Sequence, residues 1–152
     1  MSAQNQFCTF YLDKLFFGVE VHKVQEVLRH QETTMVPLAP EVIGGLINLR
    51  GQIVTAIDLR RRLGLPERSP EQLAMNVVLR GDDGAVSVLV DEIGDVVEVA
   101  DENFEAAPDT LKDEGRDLIR GVHKLKGKLL HLLDTEKALT VSACAARNIS
   151  SN

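Results

Sequence analysis

Residues 45–63 read Gly45-Leu46-Ile47-Asn48-Leu49-Arg50-Gly51-Gln52-Ile53-Val54-Thr55-Ala56-Ile57-Asp58-Leu59-Arg60-Arg61-Arg62-Leu63. Two apolar runs flank Arg50-Gly51, a dipeptide whose glycine suits a tight turn, so the stretch predicts a hairpin. Asp58 then stands where a side-chain oxygen can cap a short helix over 59–63, and Gly64 with Pro66 beyond it ends that helix. The same succession returns 76 residues later. Gly45, Leu49, Gly51, Asp58 and Leu63 fall on Gly121, Leu125, Gly127, Asp134 and Leu139, five identities where roughly one is expected by chance. A second offset, of 69, lays Val21, Val24, Glu26 and Val27 on Val90, Ile93, Asp95 and Val96. A hairpin–helix unit that occurs twice predicts two related small β units.

Working outward, Phe7 to Leu12 and Leu15 to Val19 form a further hairpin around Asp13-Lys14. Val21, Val24, Val27 and Leu28 recur at three and four residues and predict one or two helical turns. Thr33 to Val36 is a short strand closed by Pro37. Val77 to Leu79 and Val86 to Val90 flank Asp82-Asp83-Gly84, and a strand over Val96 to Val99 follows a brief helical turn. An acidic connection over 101–117 leads to a hairpin from Leu118 to Leu133 and a helix capped by Asp134. Residues 143–152 are expected to be a flexible tail. With about five short strands per unit, small closed barrels fit better than open sheets with exposed edges. The second barrel is placed at approximately 74–140, with strand exchange between the barrels allowed. The stripe of Val21, Val24 and Val27 and the strand of Val86, Val88 and Val90 lie where one barrel faces the other.

At 152 residues with 44% hydrophobic content, a core suffices without disulfides or structural metal. The apolar runs fall far short of a membrane span, so no direct membrane insertion is expected. Met1 to Gln6 shows neither a basic nor an apolar leader region, which leads to the expectation of a cytoplasmic protein. The net charge of −6 is lopsided. Residues 1–76 carry eight basic and eight acidic side chains, whereas residues 77–152 carry nine and fifteen. The 82–117 segment alone sums to −11, which repels a polyanion at physiological salt, so the charge balance argues against nucleic acid as a partner.

Catalytic chemistry is missing from the residue pattern. His22, His30, His123 and His131 have no metal-ligand spacing, Cys8 and Cys144 have no paired cysteine, and no serine sits in a nucleophile elbow. Gly44-Gly45 with Gly51 lacks the Gly-Lys-Ser/Thr of a phosphate cradle. Arg60-Arg61-Arg62 reads as a solvated basic face. The expectation is therefore no enzyme, no cofactor and no metal, with protein surfaces as partners.

Several blocks together are specific. Lys23-Val24-Gln25-Glu26-Val27-Leu28, Val36-Pro37 with Pro40, Gly45 to Gly51, and Ile57-Asp58-Leu59-Arg60 resemble, in order and spacing, the signature of the chemotaxis coupling protein (CheW) family. The similarity continues through Val86 to Asp91 and Ile93, and through Gly121 to Leu139, covering about residues 6–140 as a single domain. Thr55-Ala56 departs from the family, which often has a proline there.

The resemblance implies a mainly β fold of two intertwined five-stranded SH3-like barrels with short helices. It implies a non-catalytic adaptor between methyl-accepting chemoreceptors and the regulatory domain of the chemotaxis histidine kinase, located in the cytoplasm with receptor arrays at the inner face of the membrane. It places Val24, Glu26, Val27, Arg50, Val88 and Val90 at the receptor's helical hairpin tip, the valines as an apolar floor and Arg50 as a charged contact. Gly44, Gly45 and Gly121 border the region that meets the kinase. Two readings stand beside this one: the same adaptor in a surface-motility or biofilm-type cluster, and a small-ligand or nucleic-acid-binding barrel, which rests on architecture alone.

Overall fold

The computed structural model describes residues 6–69, 71–81, 84–99, 104–105, 118–125 and 127–139. In chain order the elements are β1 (Gln6–Leu12), β2 (Leu15–Glu20), a 3-10 turn (Val21–Lys23), β3 (Val24–Leu28), β4 (Ile43–Leu49), β5 (Gln52–Asp58) and α1 (Leu59–Arg62). There follow β6 (Met75–Gly81), β7 (Gly84–Val90), β8 (Glu92–Glu98), β9 (Phe104–Glu105), β10 (Ile119–Leu125) and β11 (Lys128–Leu133). Helix α2 covers residues 135–139. The strands form two sheets, in the orders β8-β1-β2-β11-β10, with the two-residue β9 added to β10, and β3-β6-β7-β5-β4.

Both repeat offsets reappear in the pairing. In the β4–β5 ladder Ile43 faces Ile57 and Gly45 faces Ala56 across a bulge, and 76 residues later Ile119 faces Leu133 and Gly121 faces Leu132 across the same bulge. The parallel pairs follow suit, with Thr55 against Val86 in β5–β7 and His131 against Phe17 in β11–β2. Each hairpin–helix unit therefore takes its parallel neighbour from the other half of the chain. The first barrel holds residues 24–58 with 75–90, and the second holds 6–20 with 92–133. This corrects the boundary expected near residue 74, because β6 and β7 return to the sheet of β3 to β5. Strand exchange intertwines the barrels.

Capping chemistry ends each unit in the same way. The Asp58 side chain accepts from the Arg60 amide at 3.1 Å, and that of Asp134 accepts from the Lys137 amide at 3.2 Å. Such oxygens satisfy amides that a helix start leaves without partners. Each aspartate also donates its own amide across the chain, Asp58 to Val42 O and Asp134 to Leu118 O, both at 2.7 Å.

Among the described residues, three cores follow from this arrangement. Ile47, Leu49, Val54, Ala56, Val78 and Leu89 fill the first barrel, and Phe7, Phe16, Val99, Leu130 and Leu132 fill the second. The largest cluster lies between them and draws on both sheets, with Phe10, Phe17, Leu59, Leu79, Val88 and Val90 among its members. The barrels share a seam of buried apolar surface, as the patterning implies.

Elsewhere the local reading needed correction. Val21 to Leu28 is a 3-10 turn followed by a strand, not a helix. Its valines do not form one buried stripe, since Val27 points outward with 40% exposure, and the available ladder on β6 decides the conformation of a β-branched segment. The helical turn expected before Val96 is strand as well, because β8 pairs along β1. Thr33 to Val36 contributes a single bridge, Thr34 to Leu46. The Asp82-Asp83 turn residues, Lys126, the tail over 143–152 and all of the 101–117 connection except 104–105 lie outside the described residues.

That bridge makes Gly45 indispensable. Its φ is +142°, and a Cβ there would meet Thr34 O at 2.8 Å and Thr33 Cβ at 2.9 Å. Gly45→Ala is expected to lower the unfolding free energy by about 1–3 kcal/mol, read from the denaturant midpoint.

Candidate functional site

Two charged residues singled out in the sequence meet in space. Glu26 lies on β3 and Arg50 in the β4–β5 turn, at the two opposite edges of the first sheet. Arg50 Nη1 stands 2.7 Å from Glu26 Oε2, so the pair bridges the edges at that point. The Arg50 side chain is 70% exposed and that of Glu26 is 20% exposed. Arg50 also adopts a left-handed φ of +54° ahead of Gly51 at +86°, a two-residue turn of the kind that follows strand twist. Asn48 Oδ1 supports that turn by accepting from the Gly51 amide at 2.9 Å. A non-glycine residue held left-handed is strained, and here the strained residue presents a guanidinium to solvent beside a carboxylate.

The valines separate into two groups. Val27 follows Glu26 and is exposed, and Val24 is half-buried against the seam. Val88 and Val90 are fully buried in that seam, so they cannot offer their side chains to a partner. They belong to the packed seam between the barrels, because β7 is a central strand whose residues 87–90 are buried. Val88→Ala is expected to cost about 2–3 kcal/mol of stability, and Val27→Ala about 0.5 kcal/mol or less, in parallel thermal or denaturant melts.

Local packing accounts for the glycines at 44 and 45, and the repeat aligns Gly121 with Gly45. A Cβ on Gly44 would strike Leu89 Cδ1 at 2.8 Å, Gly45 lies under the Thr34 bridge, and Gly121 is buried at the equivalent bulge in β10. Neither Gly44 nor Gly45 needs a partner protein to explain its lack of a side chain.

A second polar cluster escaped the sequence reading. Arg60, read as solvated, is buried with Asp91 and beside Arg68, their side chains 8%, 5% and 9% exposed. Arg60 Nε reaches Asp91 Oδ1 at 2.9 Å and Oδ2 at 3.1 Å, its Nη2 also bonds Oδ2, and Arg68 Nε meets Oδ1 at 2.9 Å. The Asp13 amide donates to Asp91 Oδ2 at 2.7 Å, and Arg60 Nη1 donates to Pro66 O at 2.9 Å. Burial pushes the Asp91 carboxyl up, but the Arg60 hydrogen bonds, the Asp13 amide and Arg68 outweigh it and hold the group below the ordinary carboxylate range. The available signal was a charged residue placed directly after the apolar run of β7, where a free carboxylate is not expected.

Together, fold and site define a strand-exchanged double β-barrel that carries an ion pair across the two edges of its first sheet and an exposed valine on the edge strand β3. A family model described as the CheW-like domain matches residues 6–143. Chemotaxis protein CheW of Bacillus subtilis (strain 168) is 32% identical over 123 residues, covering 81% of this chain and 79% of the relative. Chemotaxis protein CheW of Treponema pallidum (strain Nichols) is 30% identical over 138 residues, covering 88% and 81%. In fold, the chain is similar to the crystal structure of scaffolding protein TtCheW from Thermoanaerobacter tengcongensis, with a TM-score of 0.79 at 24% identity over 90% of this chain and 92% of that one. The chain belongs to the CheW-like domain family.

Proposed function

We propose that the protein is a non-catalytic chemotaxis adaptor that couples the cytoplasmic helical hairpin tip of methyl-accepting chemoreceptors to the regulatory domain of the chemotaxis histidine kinase. The observation that carries the receptor half is the Glu26–Arg50 pair, on an edge strand that also presents Val27 to solvent. A helix laid on this patch finds an apolar contact flanked by both signs of charge, and a guanidinium offers bidentate recognition of a helix carboxylate. Family membership and the names of the relatives support the chemotaxis setting. The kinase half follows from the resemblance, which puts an end of one barrel against a regulatory domain of the same duplicated fold. The adaptor works in the cytoplasm, among receptor arrays at the inner face of the membrane. No helix among the described residues is long and apolar enough to cross a membrane.

The test is a pull-down of the purified chain against a kinase regulatory domain and a receptor signalling tip, each alone and then both together. A ternary complex is the expected result. Retention of neither partner by a folded chain would sink the reading.

A further inference from the structure

An adaptor that transmits a signal must hold its two contact surfaces at a set angle, and the chain crosses between the two sheets in ways that differ sharply. At Asp91 it passes directly from β7 of one sheet to β8 of the other. The crossing residue is gripped from both sides. From the second barrel, the Asp13 amide in the β1–β2 turn donates to its carboxylate, and its own amide donates to Tyr11 O at 3.0 Å. From the side of the first barrel, Arg60 on α1 and Arg68 in the connection after it bond both carboxylate oxygens.

The other crossing, from β2 to β3 through the 3-10 turn, is built differently. The offset of 69 puts His22 where Asp91 stands. His22 Nε2 lies 3.4 Å from Glu20 Oε2, and Arg120 Nη1 lies 2.6 Å from Glu20 Oε1, with the His22 and Arg120 side chains 49% and 51% exposed. Exposed pairs of this kind contribute little. Apolar burial across the seam holds the barrels together without fixing direction, whereas a carboxylate gripped by two guanidiniums and an amide fixes both distance and angle.

We infer that Asp91, with Arg60 and Arg68, is the positioning joint of the molecule: it sets the orientation of one barrel against the other, while the His22 crossing, directly ahead of Val24 and Glu26, is the compliant side. This inference rests on the adaptor reading for its consequence, since a loosened joint leaves each partner surface intact and breaks the coupling between them.

The test uses the full chain carrying Asp91→Asn, which keeps the side-chain shape and one acceptor, and separately Arg68→Gln, the milder change. Residual dipolar couplings of backbone amides report barrel orientation directly. The wild-type couplings are expected to fit one alignment tensor for both barrels, and those of the folded variants to need a separate tensor for each. Receptor tip and kinase regulatory domain should each bind the variants as they bind the wild type, while receptor-dependent kinase activation falls roughly tenfold. Folded variants that keep the wild-type common tensor would overturn the joint. Independent tensors with undiminished activation would overturn its positioning role. If the wild-type chain binds neither partner, the adaptor reading fails instead, and the couplings alone decide the joint.

Discussion

Reversing the charge of Arg50 with Arg50→Glu is expected to abolish receptor-dependent kinase activation while the fold persists. The side chain is 70% exposed, and an exposed ion pair is worth about 0–1 kcal/mol, so losing it should move the melting midpoint only slightly. The new carboxylate would face Glu26, whose Oε2 now accepts from Arg50 Nη1 at 2.7 Å. It would also turn the sign of the patch proposed to meet the receptor helix, and like charges set against each other at an interface cost several kcal/mol, so receptor affinity should fall by about tenfold or more. Glu26→Arg combined with Arg50→Glu rebuilds an internal pair of reversed sense. Activation should stay low in that double variant, because the receptor still meets the wrong sign at each position. Full activation by folded Arg50→Glu protein would remove Arg50 from the mechanism.

Asp91→Ala is expected to be the most damaging single change to stability. It leaves the buried guanidiniums of Arg60 and Arg68 without their carboxylate and the Asp13 amide without its acceptor. Removing one partner of a buried pair costs about 3–5 kcal/mol, a large share of the stability of a small domain. The pH dependence follows from the same contacts. The folded-state value of Asp91 lies below its ordinary 3.8, so the unfolded chain binds the proton more readily. The stability it confers is complete above the ordinary value and is lost as the pH falls through the folded one. Acid titration of the wild type below about pH 4 should therefore include a loss of stability that the alanine variant, already destabilised, does not show. Equal acid sensitivity of the two proteins would show that the cluster does not hold the Asp91 charge.

The hairpins, the capping aspartates and the duplicated order were legible because they are short-range chemistry. Arg50-Gly51 permits a tight turn whatever lies beyond it, and Asp58 caps a helix that starts at the next residue. The parallel pairing was not legible, because no periodicity names the strand that will lie alongside β5. The errors fell where a partner elsewhere in the chain decides the outcome. Val24 and Val27 carry a helical spacing, yet β6 supplies a ladder and the segment becomes an edge strand. The burial of Val88 and Val90 was equally illegible, because it is set by strands on both sides of β7 and by the seam between the barrels.

What the sequence by itself determined is the pair of β units, their caps and turns, and the family to which they are similar. Periodicity, glycine placement and capping act within a few residues and are written in the order of the chain. Only the tertiary structure decided that Glu26 meets Arg50 across 24 residues, Arg60 meets Asp91 across 31 and Asp13 meets Asp91 across 78. A side chain's surroundings, and with them whether a carboxylate is solvated or clamped, depend on strands exchanged between the two halves. The fold sets an exposed arginine against a largely buried glutamate at the edges of the first sheet, and a fully buried pair at the crossing between the barrels.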